Sequence, residues 1–223
     1  MIKKCIPFCL LIIFAIGCQK QQVQLPLIEI PGITEIQNHS SIWIFYKTQN
    51  NDTLAILNKN NKILNTHWIF NVDKRLQMKV VIPHFIALQE NRNKDSMHKK
   101  EGMLNYFSYA DTSLEQISLT PFLPVTFIDL EDDALAQEEL VDQPFDVSVE
   151  IANGFIKLND KIIDLEVLEK QIALMGANDS ITKPVVRLIY NQNTQFQYYL
   201  QTKVYLSSND IATLPMEYIF NVK

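Results

Sequence analysis

The sequence is poor in glycine, with 5 in 223 residues, and it holds only 3 cysteines. So few glycines leave no glycine-rich phosphate loop. Neither GxGxxG nor GxxxxGK occurs, which excludes nucleotide cradles of that kind. HExxH and GxSxG are also missing, and with them the local signatures of zinc peptidases and serine hydrolases. There is no excess of base: 20 Lys+Arg face 25 Asp+Glu, a net charge of −5. That balance disfavours nucleic acid and anionic membrane surfaces as partners. A long apolar run is lacking too. The stretch from Cys5 to Gly17 contains Pro7 and stops at Gln19-Lys20-Gln21-Gln22, short of the roughly twenty residues that a spanning helix needs.

What that stretch does have is the layout of an export signal. Lys3 and Lys4 form a positive start, the apolar run follows, and Ala15-Ile16-Gly17-Cys18 closes it. This segment resembles the lipobox signal of bacterial lipoproteins, with Ala15 where leucine is usual. The resemblance implies cleavage of residues 1–17 and lipidation of Cys18, followed by a lipidated tether over 18–35. Cleavage removes Cys5 and Cys9 and leaves Cys18 acylated, so no disulfide and no thiol ligand is expected. Several acyl chains anchor a protein firmly. The expected location is the cell envelope, held to the membrane through the lipid. Gln19-Lys20 resembles the start of a surface-export signal, but Gln21 and Gln22 replace its acids, which favours a periplasm-facing anchor.

The rest of the chain reads as α+β, with small mixed sheets and one or two packed helices in each half. An N-terminal α+β domain is expected over 36–128. It begins with "SSIWIFYKT" and "TLAILN", two β-rich runs joined by a hairpin loop at Gln49 to Asp52. "HWIFNV" suggests a third strand. Met78 to Ile82 fits strand or helix, and Pro83 suits a first helical turn running to about His98. "LNYFSYAD" and "LPVTFIDL" look like further strands. Asp129 to Gln143 carries seven acids and no base. It has no glycine for a calcium loop, so it reads as an acidic linker over 129–143.

The second domain is expected over 144–223. "FDVSVEI" alternates as a strand, Asn153-Gly154 marks a tight turn, and "FIKLND" returns. Leu165, Leu168, Ile172 and Met175 make one helical face after Asp164 at the N-cap position, and Gly176 suits a helix stop. "PVVRLIY" reads as a buried strand. "TQFQYYLQTKVYL" fits either period. "PMEYIFNV" reads as a terminal strand and a candidate sheet edge, guarded by Glu217.

"NGFIKLNDKIIDLEVLEKQI" and "KPVVRLIYN" make Phe145 to Lys223 similar to the periplasmic domain of the ExbD/TolR family. The resemblance implies a helix at "TQFQYYLQTKVYL" and a module that self-pairs or binds partners. Tyr190-Asn191 stands where family members carry an aspartate, and the N-terminal apolar run holds no acid. The motor function of the family therefore does not carry over. "LNKNNKIL" in the first half echoes "LNDKIIDL" in the second, which suggests two distantly similar lobes.

Scattered polar residues form no local catalytic set. His39, His67, His84 and His98 make no paired metal motif. Ser40-Ser41 and Ser207-Ser208 read as turns. Asp73-Lys74-Arg75 fits a salt-bridged turn or a ligand clamp, and Glu90, Asp95 and Glu101 a solvated helix end. The expectation is a non-catalytic protein-interaction or scaffold module of the envelope, with no cofactor, no metal and no catalytic residue. Its partner would be another envelope protein or a second copy of the chain. The alternatives are a binding protein for cell-wall glycan or peptide and, with less support, a hydrolase built from scattered acids.

Overall fold

The computed structural model describes residues 21–58, 60–93, 101–122, 124–129, 146–152, 155–158, 161–178 and 185–220. Cys18 and its signal, most of the acidic linker, Asp95 and His98 lie outside the described residues. Those described form an α+β fold with two mixed sheets of six strands.

The first sheet contains β1 (Leu27–Ile28), β2 (His39–Gln49), β3 (Asp52–Leu57), β4 (His67–Val72), β5 (Asn105–Asp111) and β6 (Gln116–Phe122), with α1 (Met78–Asn93) between β4 and β5. Its order is β1-β5-β4-β2-β3, and β6 also pairs with β5. The β2–β3 hairpin turns on Asn50 and Asn51, with φ of 51° and 65°. Asparagine tolerates this left-handed region, as a two-residue hairpin turn requires. Along β2, Ser40, Ile42 and Ile44 alternate inward.

The second sheet holds β7 (Thr126–Asp129), β8 (Asp146–Ala152), β9 (Phe155–Leu158), β10 (Lys161–Ile163), β11 (Val185–Asn191) and β12 (Thr213–Phe220). α2 (Leu165–Asn178) leads into β11, and α3 (Phe196–Ser208) connects β11 to β12. The order is β10-β9-β8-β11-β12-β7. On α2, Leu168 and Ile172 are buried while Glu166, Glu169 and Lys170 are exposed, the amphipathic face read from the sequence.

The two lobes share one plan. β2 and β3 form an antiparallel pair, as do β8 and β9. β4 lies parallel to β2 as β11 does to β8, and β5 parallel to β4 as β12 does to β11. Even the outer strands match, since β1 runs parallel to β5 and β7 to β12. The echo noted in the sequence falls at equivalent places, starting at Leu57 where β3 ends and at Leu158 where β9 ends. The lobes diverge after it. The second inserts β10 and α2, whereas the first crosses directly to β4.

The lobes join where α1 and α3 begin. Gln77 and Gln195 form an antiparallel bridge. The Met78 N–H donates to the Thr194 carbonyl at 2.9 Å, and the Phe196 N–H to the Leu76 carbonyl at 2.7 Å. Lys79 donates to the Gln192 carbonyl at 2.9 Å, and Gln197 to the Lys74 carbonyl at 3.2 Å. Residues 74, 76, 77, 78 and 79 thus match 192, 194, 195, 196 and 197 at one constant offset, and each bond has its mirror. Asp73 Oδ1 accepts from the Arg75 N–H as Asn191 Oδ1 accepts from the Asn193 N–H. The joint is therefore a local two-fold. Around it runs one buried core: Phe196 of the second lobe packs on Phe85 at 6.1 Å and on Phe107 at 5.3 Å between ring centres.

Several local expectations change. β12 is no edge, because it lies between β11 and β7, and Ile219 pairs with both Tyr190 and Asp129. α1 starts at Met78, and Pro83 sits inside it. α2 passes Gly176 and ends at Asn178. Ser40 and Ser41 belong to β2, and Ser207 and Ser208 end α3, so neither pair forms a turn. "TQFQYYLQTKVYL", which fits either period in sequence, is helical from Phe196 on, the reading that the resemblance favoured. β1 lies in the stretch read as tether, and β7 closes the first half in sequence yet joins the second sheet. Gly32, also in that stretch, sits where a Cβ would collide with the Tyr109 hydroxyl and the Leu119 carbonyl.

Candidate functional site

α3 is a helix because Phe196, Tyr199, Leu200 and Val204 bury one stripe. Lys203 falls on the same stripe, four residues after Tyr199 and three after Leu200, yet it carries a charge. The extended β12 brings Glu217 beneath it. Register slips between Val186 and Leu188 of β11, so that Glu217 stands opposite Leu188 and Tyr218 opposite Ile189.

The Glu217 side chain is wholly buried. Lys203 Nζ donates to its Oε1 at 2.7 Å, the Tyr199 hydroxyl to the same oxygen at 3.3 Å, and the Tyr190 hydroxyl to Oε2 at 3.2 Å. The two tyrosine rings meet edge to face at 5.4 Å. Burial, reinforced by the charge of Glu217, pushes both phenols well above their ordinary range. They stay protonated at neutral pH and serve as donors to the carboxylate. A buried charge needs such partners, since an unpaired one carries a heavy desolvation cost.

The ion pair borders open space. A cleft of about 430 Å³ lies between the lobes, a volume typical of ligand pockets, which favour domain boundaries. Pro121, Pro124 and Val125 line it from the first lobe, and Leu206, Leu214 and Pro215 from the second. Lys203 also lines it, with 19% of its side chain exposed. Glu217 is the one hydrogen-bond acceptor of its ammonium among the described residues, which leaves two N–H groups unspent. Ser207 and Thr213 add hydroxyls to the lining.

The first lobe fills the matching place differently. At the constant offset of the joint, Lys203 corresponds to Phe85. Glu217 faces Leu188 on β11 as Phe107 faces Phe70 on β4. Phe85 and Phe107 pack ring to ring at 5.2 Å. The fold therefore accepts an apolar pair here, and the charges in the second lobe are no requirement of the architecture.

The polar residues singled out from sequence do not converge on this site. Asp73 closes a turn: its carboxylate accepts from the N–H of Gln24 and from the N–H, Nε and Nη2 of Arg75, the last two at 2.8 Å. His39 Nδ1 lies 2.8 Å from the Ile36 carbonyl and His84 Nε2 3.1 Å from the Ala55 carbonyl. His67 Nδ1 accepts from the Leu104 N–H at 3.1 Å, with its ring against Tyr106. Glu90 and Glu101 are exposed. Among the described residues no three His, Cys, Asp or Glu side chains are grouped to hold a metal, and no helix is long and apolar enough to cross a membrane.

Sequence reasoning placed Glu217 on a solvent-facing edge and passed over Lys203, Tyr190 and Tyr199. The available signal was a lone lysine on the apolar stripe of one element and a lone glutamate within an apolar strand. Compared with known protein families, with curated proteins and with solved structures, the chain matches none.

Proposed function

We propose that the chain is an exported envelope protein, lipid-anchored at Cys18 and facing the periplasm, that acts as a non-catalytic protein-interaction module. Its partner enters the cleft between the lobes. The observation that carries this reading is the Lys203–Glu217 pair at the cleft wall, where the sister lobe has Phe85 and Phe107. A buried ion pair adds little to stability over apolar packing, so its presence beside a cleft favours recognition. The similarity of Phe145 to Lys223 to the partner-binding ExbD/TolR periplasmic domain supports the same reading.

The test places a photocrosslinker, p-benzoylphenylalanine, at Ser207 in the cleft or at Leu174 on exposed α2, in the full chain within cells. A discrete crosslinked partner from Ser207 and none from Leu174 supports the proposal. Equal products from both, or none, refute it. For the anchor, fatty-acid labelling of the wild type is compared with Cys18→Ser, and equal labelling rejects lipidation.

A further inference from the structure

Charge decides which partner chemistry fits the cleft. The Lys203 ammonium is already balanced by Glu217 at 2.7 Å, so the pair offers no net charge to draw an anion. What it does offer is direction: an ammonium held by Glu217, with two N–H groups that no acceptor among the described residues takes, at a wall that is otherwise mostly apolar and carries the hydroxyls of Thr120, Ser207 and Thr213. Pro121, Pro124 and Pro215 have no N–H, so their stretch of the wall donates no hydrogen bond of its own. If the ammonium leans toward a ligand, the hydroxyls of Tyr190 and Tyr199 continue to hold the Glu217 carboxylate.

Resting on the interaction reading above, we infer that the cleft takes an extended, uncharged, apolar peptide segment of the partner, and that Lys203 reads one main-chain carbonyl of it. The complementarity is between a neutralised cation with free donors and a neutral acceptor. The surrounding Leu206, Ile211 and Leu214 take apolar side chains. Lys203 thus anchors the main chain of the segment, Glu217 holds it in place, and the apolar wall selects the side chains.

The probe is acetyl-Leu-Val-Pro-Leu-amide, compared with the same peptide ending in a free carboxylate. Binding to the full mature chain is followed by methyl NMR of the cleft leucines. Because Lys203→Met alone strands a buried carboxylate, the working variant is Lys203→Met with Glu217→Gln, whose amide oxygen accepts from one tyrosine hydroxyl while its N–H donates to the oxygen of the other. Circular dichroism verifies its fold. The amide peptide should bind the wild type at least as well as the acid, and the double variant should lose roughly tenfold or more, the weight of a charge-assisted hydrogen bond. A tenfold preference for the acid, an unchanged double variant, or no response of the cleft methyls to the amide overturns the inference. The crosslink separates the two levels of the argument. Ser207 products that persist in the double variant leave the interaction reading standing and overturn the role of Lys203. Loss of Ser207 crosslinking in the wild type brings down both.

Discussion

In the first lobe the space between helix and sheet is packed with rings. Phe107 touches Phe70 at 5.8 Å, Phe85 at 5.2 Å and Phe122 at 4.4 Å. In the second lobe the same space holds Lys203, Glu217, Tyr190 and Tyr199, joined by hydrogen bonds. Strand order, parallel crossovers and the start of the main helix agree between them. One backbone plan therefore accepts either an apolar or an ionic filling, and the two fillings have different consequences. Rings stabilise by burial and are indifferent to pH. A buried ion pair contributes little net stability but fixes two charged groups in one place.

The largest effect should come from truncating the ring cluster. Phe107→Ala should cost about 3–5 kcal/mol. Because Phe107 also packs on Phe196, the whole molecule should still melt as one unit. Urea unfolding followed by tryptophan fluorescence and by circular dichroism checks this, since separated transitions would mean that the lobes stand independently.

The ionic filling should break in its own way. Lys203→Met removes one member of the pair and should cost about 3 kcal/mol, because Glu217 is left buried without its cation. Adding Glu217→Gln should recover most of that loss. A double variant no more stable than the single one would show that the charge is not what matters.

A smaller effect concerns the phenols. Tyr190→Phe should cost about 1 kcal/mol, because Glu217 keeps two other donors. Both tyrosines ionise at higher pH in the folded chain than in the unfolded one, whose value is near 10.0. Their contribution is therefore complete below about pH 10 and is lost as the pH rises toward the folded value. In an alkaline titration read at the tyrosinate absorbance, these two should ionise only together with unfolding. Early ionisation of all tyrosines would contradict their enclosure.

The smallest effect lies at the joint. Lys79 Nζ donates to Asn193 Oδ1 at 2.9 Å across an exposed surface. Lys79→Ala should change stability by less than about 0.5 kcal/mol, because the bond is exposed and the main-chain bonds and the packing of Phe196 carry the joint. A larger loss would assign this exposed side-chain bond a share in holding the lobes together.

Much of this architecture was legible because local pattern and tertiary position agreed. "HWIFNV" is β4 to the residue, the Asn50-Asn51 turn is where the hairpin reverses, and the Leu168–Ile172 face of α2 is buried. α3 was ambiguous because Phe196, Tyr199, Leu200 and Val204 suit a helical stripe while alternate glutamines suit a strand. Its helix comes from packing on both lobes. β12 misled because Glu217 and Tyr218 are adjacent and both buried. A strand covered on both faces has no inward–outward alternation to read, so its glutamate looked like an ordinary solvent-facing one. α1 ran past the expectation at Pro83, since the bonds to Thr194 and Gln192 start the helix five residues earlier.

Those bonds have a mechanical consequence. α3 starts without a side-chain cap, and its first N–H groups are satisfied by carbonyls of the other lobe, as those of α1 are in return. A clamshell motion that swung the lobes apart would strip the starts of both helices at once. The joint therefore resists any opening that parts the two helix starts. Selectivity among guests then falls first to the shape and chemistry of the walls.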